Sequence, residues 1–249
     1  MANSPSGDSM TQRIVRVLET FTTERTVQTA SEIGRRADLP SSTAHRLVDD
    51  LVAEGLLERD DEHRVRLGMR LWELALRGSS ALRLRQAALP SMERIQARIR
   101  EHTQLAVLEH DSALFLERLS HPDAGANITR IAGRLPLHAS SAGLVLLAYA
   151  DDELRERVLA APLVALSPET VTDAAALRRI LAGVRRSGFV VSPGSVETVS
   201  TGVAVPVRDE TGAVVAALAV VLPRETAPEV AITELLRAAR DVRAALSGR

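Results

Sequence analysis

The stretch from Thr29 to Leu67, TASEIGRRADLPSSTAHRLVDDLVAEGLLERDDEHRVRL, constrains the fold of this chain more than any other. Ala30, Ile33 and Ala37 mark the inner face of a short helix. Pro40 pushes Leu39 out of the helical region, so that helix ends at Asp38-Leu39-Pro40. Ser41 and Ser42 are expected to cap a second helix. In it Ala44, Leu47, Val48, Leu51 and Val52 recur at helical spacing and form one apolar stripe. Ser42, His45, Arg46 and Asp49 face the other way, and Gly55 ends the helix. Leu56–Arg59 and Arg64–Leu67 read as two short strands around the polar turn Asp60–His63. Two helices across a sharp turn, followed at once by a hairpin, are the pattern of a winged helix-turn-helix. The second helix of such a unit enters a DNA major groove with its N-terminal residues nearest the bases.

Charge does not announce that partner. The net charge is -1 over 249 residues. From Met1 to Gly78 there are eleven arginines and thirteen acids, a balance of −2. Affinity for DNA must therefore come from local placement of arginines and helix N-termini. The chain has no cysteine, which excludes disulfides, thiolate metal sites and a cysteine nucleophile. It has no lysine either, which excludes a Schiff base and a P-loop lysine. His102, His110, His121 and His138 do not fall at metal-ligand spacing. His138 precedes Ser140 and Ser141 without an evident acid partner, so no catalytic set is assigned. No cofactor is expected. The polar start, residues 1–9, reads as a disordered tail and not a signal peptide. No stretch approaches the length of a membrane span, so a cytoplasmic protein is expected.

The remainder falls into a helical linker and a second domain. Thr11–Thr22 is a helix with Ile14, Val17, Leu18 and Phe21 on one face. With the helix-turn-helix and wing it makes a DNA-binding domain over 10–68. Arg70–Gly78 is a short helix in a linker over 69–80, and Trp72 is expected to pack at a joint between modules. Ser79–Glu101 is a longer helix, in which Pro90 predicts a kink or a junction of two helices. From Gln104 the periodicity becomes that of strands. QLAVLE and ALFLERL flank the turn at His110–Ser112, and Asn127–Ile131 is a candidate third strand. Helices are expected at Leu144–Ala150, opened by Ser140 or Ser141, and at Asp151–Ala160 and Asp173–Ser187. Phe189–Ser192 is a strand. Gly202–Arg208 and Val214–Leu222, joined by Asp209–Gly212, are so apolar that they belong in the middle of a sheet covered on both faces. Glu225–Leu246 closes the chain as a helix. The fold class is α+β, with an antiparallel or mixed sheet carrying helices over 81–249.

Three motifs together resemble the IclR family of bacterial transcriptional regulators. They are LPSSTAHRLVDDLVAEGLLERDDEHRVRLG, GRLPLHASSAGLVLLAY at Gly133–Tyr149, and VAVPVRDETGAVVAALAVVLP at Val203–Pro223. They occur in the family's order and span nearly the whole chain. The resemblance implies a GAF-like effector-binding domain behind the winged helix-turn-helix, working as a homodimer or homotetramer on DNA.

That resemblance also locates sites. Arg13, Arg36, Ser41, Ser42, Thr43, His45, Arg46 and Arg64 are the candidate DNA contacts. Arg46 reaches either a guanine or a phosphate. Arg64 either enters a minor groove or stays on a solvated hairpin paired with Asp60–Glu62. The candidate effector pocket comprises Leu135, Ser141, Ala142, Gly143, Ser192, Gly202, Ala219 and Val221. In members that bind small oxo-acids, polar groups stand at the positions of Ser192, Gly202, Ala219 and Val221. Here most of them are gone, which discriminates against small polar acids. The helix opening at Ser141, Ala142 and Gly143 still offers backbone N–H groups to an anion. The expected effector is a larger, fairly apolar organic acid, and the expected function is ligand-modulated operator binding, as a repressor. The alternative is a metabolite-binding protein or enzyme whose N-terminal module serves protein contact.

Overall fold

The computed structural model describes residues 7–77, 79–124 and 128–248. The chain divides into two compact units, Met1–Ser79 and Ser80–Arg249. The expected tail falls mostly outside the described residues. Its last member, Ser9, instead caps a helix through a reciprocal pair of bonds with Gln12.

The first unit contains α1 (Met10–Glu19), α2 (Ala30–Arg36), α3 (Ser41–Ala53), β1 (Leu57–Arg59), β2 (Val65–Leu67) and α4 (Met69–Leu76). Its core is the stripe read from the sequence: Val17, Ile33, Leu47, Val48, Leu51, Leu57 and Val65 pack together. Thr29 and Glu32 form a capping box at α2. The expected serine caps of α3 are corrected. Pro40 occupies the N-cap, and its carbonyl accepts from the Ala44 N–H at 2.9 Å. Ser41 and Ser42 therefore lie inside the first turn. Trp72 on α4 is 59% exposed.

The second unit contains α5 (Ser80–Ile99), β3 (His102–Glu109), β4 (Ser112–Leu119), β5 (Arg134–Pro136), α6 (Ser141–Tyr149), α7 (Asp152–Ala160), α8 (Ala174–Ser187), β6 (Val190–Pro193), β7 (Ser200–Arg208), β8 (Val214–Pro223) and α9 (Glu229–Ser247). The strands form one sheet in the order β5-β4-β3-β8-β7-β6. All its described pairings are antiparallel. Two cores sandwich it. On one face α6, α7 and α8 cover Ala106, Phe115, Ala204, Ala217 and Ala219. On the other, α5 and α9 cover Leu105, Val203, Val205, Leu218 and Val220. Alternate residues of β7 and β8 thus go to opposite cores, which explains why both strands are apolar throughout.

Two expectations are revised here. Of the kink or junction expected at Pro90, the junction of two helices does not form: Pro90 lies inside one continuous α5. Leu84, Ala88, Ser91, Met92 and Ile95 are buried on either side of it in one helical register, so packing holds the helix together across the proline. The proposed strand at Asn127–Ile131 does not form: Asn127 lies outside the described residues, and Ile128–Ile131 are irregular. The edge strand is β5 instead, paired through Ala113↔Leu135.

Candidate functional site

Two surfaces carry chemistry, one in each unit. In the first unit the relevant feature is the start of α3. Its first turn has no side-chain cap, because proline supplies none. The N–H groups of Ser41, Ser42 and Thr43 precede any intrahelical acceptor, so they are left for an external one. Ser41, Ser42, His45 and Arg46 are exposed on this turn and the next, and Thr43 is half-buried. His45 touches Ser31 of α2 through Nε2 at 3.3 Å. Arg46 has no hydrogen-bond or ion-pair partner among the described residues.

The surrounding charges are mostly paired off. Asp49 accepts from Arg59 at 2.7 Å. Glu54 pairs with Arg70, and Glu58 with Arg66. These bonds tie the acids of α3 and β1 to arginines of the hairpin and α4. Among the other predicted contacts, Arg36 donates to Gln28 Oε1 at 2.6 Å and lies 3.9 Å from Glu32. Arg13 is half-buried on α1. Arg64 is bound to Asp60 at 3.0 Å and to Glu62 at 3.2 Å. Of the two readings for Arg64, the paired hairpin is the one present, because three acids share its turn. The unpaired cation at the start of α3 is Arg46.

Three carboxyls in this unit sit below their usual range. Glu32 is lowered first by the Thr29 N–H, Glu58 by the Met69 N–H, and Asp60 by the Arg64 N–H. In the folded state these groups hold protons less readily than in the unfolded chain. Their stabilisation is therefore present above the ordinary carboxylate range and lost as pH falls through the depressed folded values. Trp72 fluorescence is expected to report loosening of the wing and α4 below about pH 4. Glu58→Gln should flatten part of that acid response. An acid transition unchanged in Glu58→Gln would exclude the Met69 contact as its source.

In the second unit a cavity of about 40 Å³ opens between the N-terminus of α6 and the sheet. Ser140 Oγ caps α6 by accepting from the Gly143 N–H at 3.0 Å. Gly143 is required there: a Cβ would lie 2.6 Å from the Leu137 carbonyl oxygen. Gly202 on β7 lies close to the same helix end: a Cβ there would lie 2.6 Å from Ser141 Oγ, so a side chain at this position requires Ser141 to move. The pairs Ser192↔Gly202 and Gly202↔Val221 set three strands side by side beneath that helix end.

The structure brings Leu135, Ser141, Ser192, Gly202 and Val221 together around the cavity. It does not bring in the other three predicted residues. The Gly143 N–H is consumed by its cap, and Ala142 is buried in the core under α6. Ala219 has no exposed surface; it lies between Gln104 and Ala204, beneath the helix layer. Polar groups come from positions that the sequence did not single out. Gln104 Nε2 donates to Thr129 Oγ1 at 2.5 Å, and Arg118 donates to the Thr129 carbonyl. Ser195 Oγ donates to the Ala139 carbonyl at 2.8 Å, and Ser200 Oγ to the Glu197 carbonyl at 3.1 Å. Gln104 was findable in principle, because an amide amid an apolar strand must meet a partner when buried. Thr129, Ser195 and Glu197 arrive by loop geometry.

Comparison with known proteins gives this arrangement its context. A family model described as "Bacterial transcriptional regulator IclR C-terminal" matches residues 78–248, and one described as "IclR helix-turn-helix domain" matches residues 11–61. The glycerol operon regulatory protein of Streptomyces griseus is 30% identical over 220 residues, covering 87% of this chain and 86% of its own. The Pca regulon regulatory protein of Pseudomonas putida is 30% identical over 204 residues, covering 81% of this chain and 70% of its own. The crystal structure of an IclR homologue complexed with 4-hydroxybenzoate, from Microbacterium hydrocarbonoxydans, is 61% identical with a TM-score of 0.93. That likeness covers 97% of this chain and 100% of the other. A helix-turn-helix unit followed by a sheet with a cavity at a helix N-terminus, matched along nearly its whole length, makes this chain a member of the IclR family of bacterial transcriptional regulators.

Proposed function

We propose that this regulator is a cytoplasmic repressor that binds a pseudo-palindromic operator as a homodimer or homotetramer, and that an aromatic monocarboxylic acid of the 4-hydroxybenzoate type modulates that binding. The observation that carries the effector class is the 4-hydroxybenzoate held by a relative 61% identical along essentially all of this chain. The cavity supports it with two kinds of wall. Phe115, Leu135 and Val221 offer apolar surface, while Ser141 lines the cavity at the N-terminus of α6, whose dipole favours a carboxylate. On the DNA side, the uncapped first turn of α3 and the unpaired Arg46 support contact with phosphate or base.

An aromatic ring needs more room than the cavity now has. A cavity of roughly 150 Å³ holds benzene, against about 40 Å³ here. Binding therefore widens the site, and Thr129, Ala139 and Glu197 stand on walls without regular structure. Calorimetric titration of the full chain with 4-hydroxybenzoate, with and without operator DNA, tests the reading. Saturable binding that changes operator affinity is expected. No binding of any aromatic acid would overturn it.

Gly202→Val provides a second check. The added side chain meets Ser141 where the cavity and α6 adjoin. Overpacking of this kind costs about 1–3 kcal/mol. The variant is expected to melt lower than the wild type and to lose measurable 4-hydroxybenzoate binding. Wild-type affinity in that variant would place the ligand elsewhere.

A further inference from the structure

Among the described residues that line the cavity, one is charged, and it is an acid. Glu197 lies on the loop between β6 and β7, half-buried, and lines the cavity. Its carboxylate has no hydrogen-bond or ion-pair partner among the described residues. No arginine or histidine lines the cavity among those residues. The neighbouring hydroxyls are already engaged, Ser195 by the Ala139 carbonyl and Ser200 by the backbone of Glu197 itself. Glu197 is thus an unpartnered, half-buried acid on the wall of a cavity with no cation among its described lining residues, an acceptor in want of a donor. It repels a second negative charge and rewards a hydroxyl or amino group.

We propose that Glu197 is the specificity-determining residue of this pocket: its carboxylate accepts a hydrogen bond from a hydroxyl or amino group on the effector, so the site takes donor-bearing aromatic monocarboxylates and rejects dicarboxylates. The inference rests on the aromatic-acid reading of the pocket and adds which group reads the substituent. The effector's own carboxylate has the α6 N-terminus available to it, so the two polar ends of the ligand meet opposite kinds of partner. The anion meets N–H donors and the donor meets an acid.

The test is calorimetric titration of full-length wild type, Glu197→Ala and Glu197→Gln with four acids: 4-hydroxybenzoate, 4-aminobenzoate, 4-fluorobenzoate and terephthalate. The fluoro compound keeps the size and loses the donor. Terephthalate carries the second carboxylate. Wild type is expected to prefer the two donor-bearing acids over 4-fluorobenzoate by about tenfold or more. In Glu197→Ala that preference should fall to about threefold or less. Glu197→Gln keeps the side chain's shape and should bind terephthalate better than wild type does. A donor preference equal in wild type and Glu197→Ala would overturn the proposal while leaving the pocket reading intact. Binding of none of the four acids by wild type would overturn both.

Discussion

Leu47→Ala is expected to remove a large share of the stability of the DNA-binding unit. Leu47 is 2% exposed and packs in the single cluster that holds α1, α2, α3 and the wing together. A buried leucine cut to alanine costs about 2–5 kcal/mol, because a cavity remains where side chains were in contact. At roughly 0.05–0.15 kcal/mol per residue, a unit of this size has about 4–12 kcal/mol to lose, so the substitution takes a large share of it. Denaturant titration followed by Trp72 fluorescence should show the midpoint falling steeply. The same protein should still bind 4-hydroxybenzoate, since its cavity is lined by residues of the second unit alone. A loss below about 1 kcal/mol would mean that this cluster is not the core it is taken for.

Arg46→Ala should have the converse signature, with operator binding lost and the fold kept. Arg46 is exposed and unpartnered among the described residues, so its removal leaves stability within about 0.5 kcal/mol of wild type. Its position just beyond the uncapped first turn of α3 puts it beside the part of that helix that approaches DNA. Affinity for the operator is expected to drop by about 1–3 kcal/mol. Two controls separate its roles. Contact with a base relaxes specificity at one position of the operator. Contact with a phosphate weakens all sequences alike and lowers the salt slope by about one. Unchanged affinity in a gel-shift titration would remove Arg46 from the interface. Asp50, four residues on and likewise unpaired, is a natural comparison, because Asp50→Ala should bind DNA no worse than wild type.

What could be read from the sequence divides along a physical line. Features fixed by neighbours in the chain were legible. The stripe Ala44–Leu47–Val48–Leu51 and the helices read at Asp151–Ala160 and Asp173–Ser187 all depend on a few adjacent residues. Features settled by tertiary contact were not. Pro90 signals a break, yet a buried face spanning both sides of it keeps α5 whole. The pocket shows both cases. Ser141, Ser192, Gly202 and Val221 were located through motifs on regular elements. Gln104 becomes a pocket residue through its bond to Thr129, 25 positions away, and Glu197 through the path of a loop.

The order of strands in the sheet has a consequence for how the protein is made. β3 and β4 are neighbours in sequence, as are β7 and β8, and each hairpin zips locally. The two hairpins join through β3 against β8, first strand against last. A ribosome releasing this chain exposes α5 and β3 long before it completes Val214–Pro223, so the centre of the sheet is the last part able to close. Contacts of that separation form slowly. The DNA-binding unit, whose contacts lie within its own short span, has no such wait. Each nascent molecule therefore passes through an interval in which the part that grips DNA is complete and the part that listens to the ligand is not.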